Sequence, residues 1–370
     1  MILQFGAGNF LRGFADLFVH ELNQNPATAL GPLVVVQSTG IERAEALNKA
    51  GGRYHLAIQG FRDGCVVNET VLVDSISKAF HAGSQWEEVL AVAKDPSLVV
   101  ILSNTTEAGL ALHEADIVLS DAAPLSFPAK LLAVLVARYE TGQSGPWIVP
   151  CELIESNGDR LRELVLLQAD RWGLPDEIRD WLESGCRWVN TLVDRIVPGP
   201  PKTHPLLGTD PLLLSAEPFA FWAVETEAPD FPFAPHPAVT ISPDIRPYTL
   251  RKVRLLNGAH TALVSRARGT GLETVRQCLD DPEIGPWLER LLFEEIVPVL
   301  EGRCDDPSGF ARDTLDRFRN PFLEHRLSAI ALHHETKITV RLEPTFDEYC
   351  KKFGGAPGLL SEVLGRSTRK

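Results

Sequence analysis

Paired cysteines are absent from this chain. The six that occur, Cys65, Cys151, Cys186, Cys278, Cys304 and Cys350, are scattered and form no C-x-x-C motif. That spacing excludes a structural zinc site and a disulfide framework, and no metal is expected. Most of them read as small buried hydrophobes. Positive charge is also in short supply: 36 Lys and Arg stand against 49 Asp and Glu, a formal net charge of −13. A nucleic-acid binder needs a broad basic face to displace counterions, so that class is set aside, although a local basic site for a small anion is not. No apolar run is long enough to span a bilayer. The chain opens directly into Ile2-Leu3-Gln4-Phe5, with no basic segment and no small-residue cleavage site, so the expectation is a cytoplasmic protein with no membrane partner. There is no internal repeat and no low-complexity segment. What remains is a 370-residue chain, 44% hydrophobic and 23% charged, which is globular in composition and long enough for two domains.

Short apolar runs alternate with helical patterns in the first half. Ile2–Phe5, Leu33–Gln37, Leu98–Leu102 and Trp147–Val149 read as strands. Asn9–Asn23 carries Phe10, Leu11, Phe14, Leu17, Phe18 and Leu22 at near-helical spacing. Continuous rather than alternating apolar strands suit a parallel sheet covered on both faces, and the alternation implies βαβ units. The fold class is therefore α/β, a Rossmann-like doubly wound parallel sheet. A mostly α-helical second domain follows, in which Glu273–Leu279, Gly285–Leu300, Gly309–Arg319 and Pro321–His333 read as helices. The expected division is 1–244 and 245–370. The ten prolines of Val197–Pro237 mark that region as an irregular excursion.

Gly6-Ala7-Gly8-Asn9-Phe10-Leu11-Arg12-Gly13 follows the first strand and opens the first helix. Glycines there let the backbone turn tightly and approach a pyrophosphate. The spelling departs from G-x-G-x-x-G, with Leu11 where the third glycine belongs, so a plain strand-to-helix turn competes with a cofactor site. After the second strand, Gln37-Ser38-Thr39-Gly40 precedes Glu42 and Arg43, and neither an acid suited to NAD nor an arginine suited to NADP is clearly placed. Asn104, Thr105 and Thr106 follow the third strand, where a doubly wound sheet binds ligands. They suit hydrogen bonds to a ribose or nicotinamide, or equally a helix cap.

The segment Arg251-Lys252-Val253-Arg254-Leu255-Leu256-Asn257-Gly258-Ala259-His260 carries the most chemistry. On an ideal helix, with Lys252 at zero, His260 lies at about 80° and Asn257 at about 140°, one broad face. Reducing a ketone needs a hydride on carbon and a proton on oxygen. A lysine can give the proton, an amide can stabilise the developing oxyanion and a histidine can orient hydroxyls. A surface lysine, a capping asparagine and a core histidine would leave the same pattern.

At these residues the sequence resembles the mannitol dehydrogenase family of polyol-specific long-chain dehydrogenases. Lys252, Asn257 and His260 match its K-x4-N-x2-H pattern, and Asn190–Ile196 its N-x-x-V-D-R-I segment. Gly6–Arg12 is similar to its glycine turn, and Pro150–Asp159, which contains Asn157, to its central signature. The resemblance implies a nicotinamide-dependent dehydrogenase acting on a small sugar acid or polyol, and implies a monomer. It favours NAD, with NADP not excluded. It makes Lys252 the general acid/base, Asn190 and Asn257 the oxyanion-stabilising pair and His260 a substrate ligand. Gly6, Gly8, Asn9, Phe10, Asn104, Thr105, Thr106 and Asn157 become cofactor-binding residues. Arg319, His325 and Lys337 fall on the substrate side, where a carboxylate would give cations a task. A dinucleotide-binding sensor without catalysis is the reading from a different class.

Overall fold

The computed structural model describes residues 1–105 and 109–366. Twelve strands occur among them: β1 (Ile2–Phe5), β2 (Leu33–Gln37), β3 (Tyr54–Arg62), β4 (Cys65–Val73), β5 (Ile76–His81), β6 (Val100–Ser103), β7 (Trp147–Pro150), β8 (Arg187–Trp188), β9 (Asn190–Asp194), β10 (Leu214–Ala216), β11 (Phe221–Glu225) and β12 (Val239–Ser242). The chain folds into two compact units. The first comprises Met1–Ala57, Thr70–Ala216 and Ala220–Ile245; the second comprises Ile58–Glu69, Glu217–Phe219 and Arg246–Lys370.

A six-stranded sheet of order β5-β2-β1-β6-β7-β8 forms the centre of the first unit. Every neighbouring pair is parallel. Numbering its strands by their order in the chain gives 3-2-1-4-5-6, the doubly wound dinucleotide-binding order, which reverses between β1 and β6. The reason lies in the residues. All four positions of β1, and the first four of β2, are buried, so neither face of these strands tolerates water. The helix Phe127–Tyr139 packs into the same core through Leu131, Leu132, Val134 and Leu135. Ser126 caps it by accepting from the Ala129 N–H, and Pro128 occupies its first turn, where a missing N–H costs nothing.

Three expectations change here. The single helix over Asn9–Asn23 is two pieces, Asn9–Arg12 and Ala15–Asn23, broken at Gly13-Phe14. The proline-rich excursion is not wholly irregular. β10 and β11 lie between its prolines, and β11 pairs antiparallel with β9 and parallel with β12. Third, a hairpin that the sequence reading did not identify, β3–β4, enters between β2 and β5, and its tip, residues 58–69, joins the second unit.

The second unit is helical beyond Arg246. Its core gathers around the helix Gly258–Arg266, where Ala259, Ala262 and Leu263 are fully buried beside Leu288, Leu291 and Leu292. Each such leucine contributes about 1.5–3 kcal/mol. The helix expected over Pro321–His333 does not form, and only Leu327–Ile330 is helical. Asn320 Oδ1 turns the chain by accepting from the Phe322 N–H. Backbone bonds from Val275 N to His325 O and from Leu327 N to Glu273 O then hold Arg326 in a bridge to Thr274. Among the described residues no helix is long and apolar enough to cross a membrane.

Candidate active site

A pocket of about 830 Å³ opens in the first unit at the carboxyl ends of β1, β2 and β6, where the strand order reverses. Its floor is the turn Gly6-Ala7-Gly8. Gly6 sits at φ +125°, and a Cβ there would come within 3.0 Å of the Asn104 carbonyl oxygen, so only glycine fits. Gly8 faces open space, which leaves its backbone free to meet a ligand. Gly13 takes the packing task of the absent third glycine: a Cβ on it would lie 2.7 Å from Val197 Cγ1. The piece Asn9–Arg12 is a single helical turn, so anion affinity rests on the turn's backbone rather than on a long helix dipole.

The structure separates the residues of this turn by task. Gly6 and Gly8 line the pocket. Asn9 and Phe10 do not: Asn9 Oδ1 accepts from Arg12 Nη2 at 2.8 Å and from Arg43 Nη1 at 3.1 Å, and Phe10 stacks on Phe14. Arg43, which lines the pocket, also donates to the Ala7 carbonyl and braces the floor. At the β2 end, Gln37 is absorbed by its own loop, donating to Thr39 O and accepting from Ala44 N. Glu42 accepts from the Ile41 N–H.

Asn104 and Thr105 line the opposite wall; Thr106 lies outside the described residues. Asn104 Nδ2 donates to Cys151 O at 2.6 Å. Thr105 is fixed by a residue that motif spacing does not reveal. Buried Glu152 accepts from the Thr105 N–H at 2.8 Å and from Ser103 Oγ at 3.1 Å. Burial pushes the Glu152 carboxyl above its usual range, opposed by the bonds from Thr105 and Ser103. Asn157 is 0% exposed, so it has no surface to offer a cofactor. Its Nδ2 donates to Pro150 O and Glu152 O, and its Oδ1 accepts from Thr191 N, so it ties β7 to β9 behind the pocket.

Lys252, Asn257 and His260 share one helical stretch of the second unit. It is not the ideal helix that periodicity suggests: Lys252–Asn257 is a π-helical turn leading into Gly258–Arg266. A π turn closes hydrogen bonds between residues five apart. Lys252 and Asn257 are five apart, so the turn stacks on one face two residues that an α-helix would set about 140° apart. His260 follows at 8% exposure, its Nε2 buried with no hydrogen-bond partner. Its ring lies 4.2 Å from Phe318 and 4.6 Å from His325, centroid to centroid. Burial first, then His325, Arg317 and Arg341, hold it well below the usual histidine range, so the ring is neutral. Burial and Arg317 likewise lower His325.

Asn190 lies on β9 in the first unit. Its Nδ2 donates to Asp159 Oδ2 at 2.9 Å and to Glu225 Oε2 at 2.6 Å, and its Oδ1 accepts from Asp159 N. Both amide hydrogens are therefore engaged by carboxylates in this arrangement. Of the residues expected on the substrate side, Arg319 is 41% exposed and lies 3.5 Å from Asp316, a surface pair. Lys337 Nζ donates to Ile330 O. Arg341, which no motif singles out, stands one turn after Lys337, and its Nη1 reaches Thr261 Oγ1 at 3.3 Å.

The parallel sheet with its glycine-floored pocket, followed by a helical unit carrying a lysine, an asparagine and a histidine, defines a dehydrogenase of the nicotinamide dinucleotide class. The chain matches the Mannitol dehydrogenase Rossmann domain over residues 1–232 and the Mannitol dehydrogenase C-terminal domain over residues 244–366, and it belongs to the mannitol dehydrogenase family. It is 41% identical to an altronate oxidoreductase of Bacillus subtilis (strain 168), covering 96% of this chain and 76% of that protein. It is 40% identical to one of Yersinia enterocolitica, covering 98% of this chain and 78% of that protein. A D-sorbitol dehydrogenase in substrate-free form superposes with a TM-score of 0.80 at 21% identity, over 95% of this chain and 76% of that one. Mannitol 2-dehydrogenase of Pseudomonas fluorescens, solved with NAD and D-mannitol, gives 0.74 at 20% identity, over 98% and 77%. These two likenesses bear on the fold. The chain is thus a dehydrogenase acting on CH–OH groups of a small polyol or sugar acid, with a nicotinamide dinucleotide cofactor.

Proposed function

We propose that this protein reduces D-tagaturonate to D-altronate with NADH, reversibly, and that Lys252 moves the proton. The observation that carries the reading is the π turn, which stacks Lys252 and Asn257 on one face, one helical turn before neutral His260. The substrate rests on the altronate oxidoreductase relatives and on Ser103–Gly109, Pro150–Ile154, Leu255–Leu263 and Arg317–His325, segments that resemble tagaturonate reductase. Gly6, Gly8, Asn104 and Thr105 would hold the dinucleotide, and the reduced nicotinamide supplies the hydride. NAD is preferred over NADP on the same likeness alone, because the β2 end of the pocket presents both an acid, Glu42, and a cation, Arg43.

The Lys252 ammonium gives its proton to the carbonyl oxygen as the carbon takes the hydride, and recovers it in the reverse direction. The Asn257 amide donates to the same oxygen and lowers the energy of the charge developing there. His260, neutral and with Nε2 free, orients a substrate hydroxyl. Asn190 joins the oxyanion only if its amide leaves Asp159 or Glu225, so its first task is structural.

NADH consumption with tagaturonate, fructuronate, fructose and fructose 6-phosphate separates this reading from fructuronate reductase and from a polyol or polyol-phosphate dehydrogenase. Turnover of a neutral ketose alone, with neither hexuronate used, overturns the substrate. Lys252→Ala should lower kcat roughly 10²- to 10⁴-fold while NADH still binds. Near-normal turnover in that variant would remove Lys252 from the proton step.

A further inference from the structure

We propose that Arg341, supported by Lys337, is the anchor for the substrate carboxylate, and so the residue that sets a sugar acid above a neutral sugar at this site. The proposal rests on the sugar-acid reading above and moves the carboxylate contact away from Arg319, which already lies beside Asp316 at the surface.

The charges around this core are out of balance. The chain carries more acids than bases, and most of the arginines here are matched. Arg317 is paired with Glu217, both buried. Arg254 and Arg303 share Glu348. Arg366 meets Glu343 and Asp347. Half-buried Arg341 has no carboxylate partner among the described residues; its guanidinium makes a long hydrogen bond to the Thr261 hydroxyl. Lys337, four residues earlier and so on the same face of the helix His334–Arg341, has its ammonium on a backbone carbonyl. Two cations therefore stand together, Arg341 the more buried of them, with no carboxylate paired to either among the described residues. Such an arrangement is open to an anion, which would gain charge-assisted hydrogen bonds from both.

The location ties the imbalance to the reacting residues. Thr261 follows His260 directly, and its hydroxyl donates to Asn257 O at 2.9 Å. Arg341 is thus held, through one hydroxyl, to the helical stretch that carries Asn257 and His260. The buried, unpartnered Nε2 of His260 is a second sign of a missing ligand. The positive field at that ring agrees: Arg317 and Arg341 both disfavour its charged form. A guanidinium fork matches a carboxylate with two parallel hydrogen bonds, which a sugar's CH2OH end cannot make.

The test uses the full-length enzyme with NADH and two ketoses, D-tagaturonate and D-tagatose, which carry a carboxylate and a CH2OH respectively at the far end. Arg341→Gln should raise KM for tagaturonate roughly 10- to 100-fold, with kcat changed less than about threefold. KM for tagatose and NADH affinity should stay as in the wild type. Arg341→Lys should fall between them, because it keeps the charge and loses the fork. A thermal melt of each variant separates misfolding from lost contact, and Arg341→Lys serves as the readout if Arg341→Gln does not fold. An unchanged KM for tagaturonate, or an equal loss on both sugars, overturns the proposal. A wild-type enzyme that reduces tagatose and no hexuronate overturns the substrate reading first, which makes the two failures distinguishable.

Discussion

Single residues in this protein carry tasks that their type alone does not announce. Asp16, fully buried near Arg12 and Tyr54, is a case where burial outweighs its favourable partners. The Tyr54 hydroxyl donates to Arg12 O at 2.7 Å and lies 3.5 Å from the Asp16 carboxylate. Burial pushes Asp16 from 3.8 up to about 7, with the Gln4 hydrogen bond first, then Arg12 and Tyr54, pulling the other way. A carboxyl whose folded pKa lies above its unfolded value holds its proton more tightly when folded. Stability is therefore lost as pH rises through the window from 3.8 to about 7, by up to about 1.4 kcal/mol per pH unit. Asp16→Asn should flatten that slope. Chemical-denaturation midpoints taken across the window would show a gap over the wild type that widens toward neutral pH; a constant gap would mean Asp16 does not titrate there. Lys252, Asn257 and His260 are legible in the sequence because their spacing is a pattern within nine residues of chain. Glu152 and Arg341 are not, since nothing in the sequence says that one is buried against Thr105 or the other left without an acid.

Elements show where local signals suffice. β1 matches its expected bounds, Ile2–Phe5, because an unbroken apolar run before a glycine turn leaves one solution. The sequence carries the next helix straight through Gly13, since hydrophobic spacing continues across the break. At the break, Gly13 leaves no room for a side chain beside Val197, far away in sequence. Gly13→Ala should destabilise the first unit by about 1–3 kcal/mol through overpacking. Val197→Ala in the same chain should recover most of that loss in a urea titration. Additive rather than compensating effects would show that Gly13 serves the backbone and not the contact. The π turn at Lys252–Asn257 is the other case. Helix periodicity places Lys252 and Asn257 on one broad face, and the widened turn sharpens that to a stack.

At the scale of the whole molecule, chain order and structural unit do not coincide. Residues 217–219 lie among first-unit segments in sequence yet belong to the second unit. Glu217 is there because its carboxylate pairs with Arg317, at 2.8 Å and 3.0 Å. Removing one partner of a buried pair leaves an uncompensated charge, at a cost of about 3–5 kcal/mol. Glu217→Gln should therefore raise hydrogen exchange in the helices Pro307–Phe318 and Gly258–Arg266 while β1, β2 and β6 keep their protection. Replacing both partners together, Glu217→Leu with Arg317→Met, should restore most of the protection. Equal loosening of the parallel sheet would refute the assignment of residue 217 to the second unit.

The sequence by itself determined the parallel sheet, the glycine floor of its pocket and the lysine–asparagine–histidine segment. Those features depend on neighbours within a few residues: continuous apolar strands, a turn only glycine can make, and polar groups at helical spacing. The tertiary structure alone decided which residues of the turn face the pocket, that Asn157 ties strands behind it, and that Pro321–His333 is helical only over Leu327–Ile330. It also decided that β9, β11 and β12 form a sheet across a proline-rich stretch. Each of these depends on groups far apart in the chain meeting in a water-poor interior. Which donors find acceptors, and which cations are left without an acid, is settled there and not by local spacing.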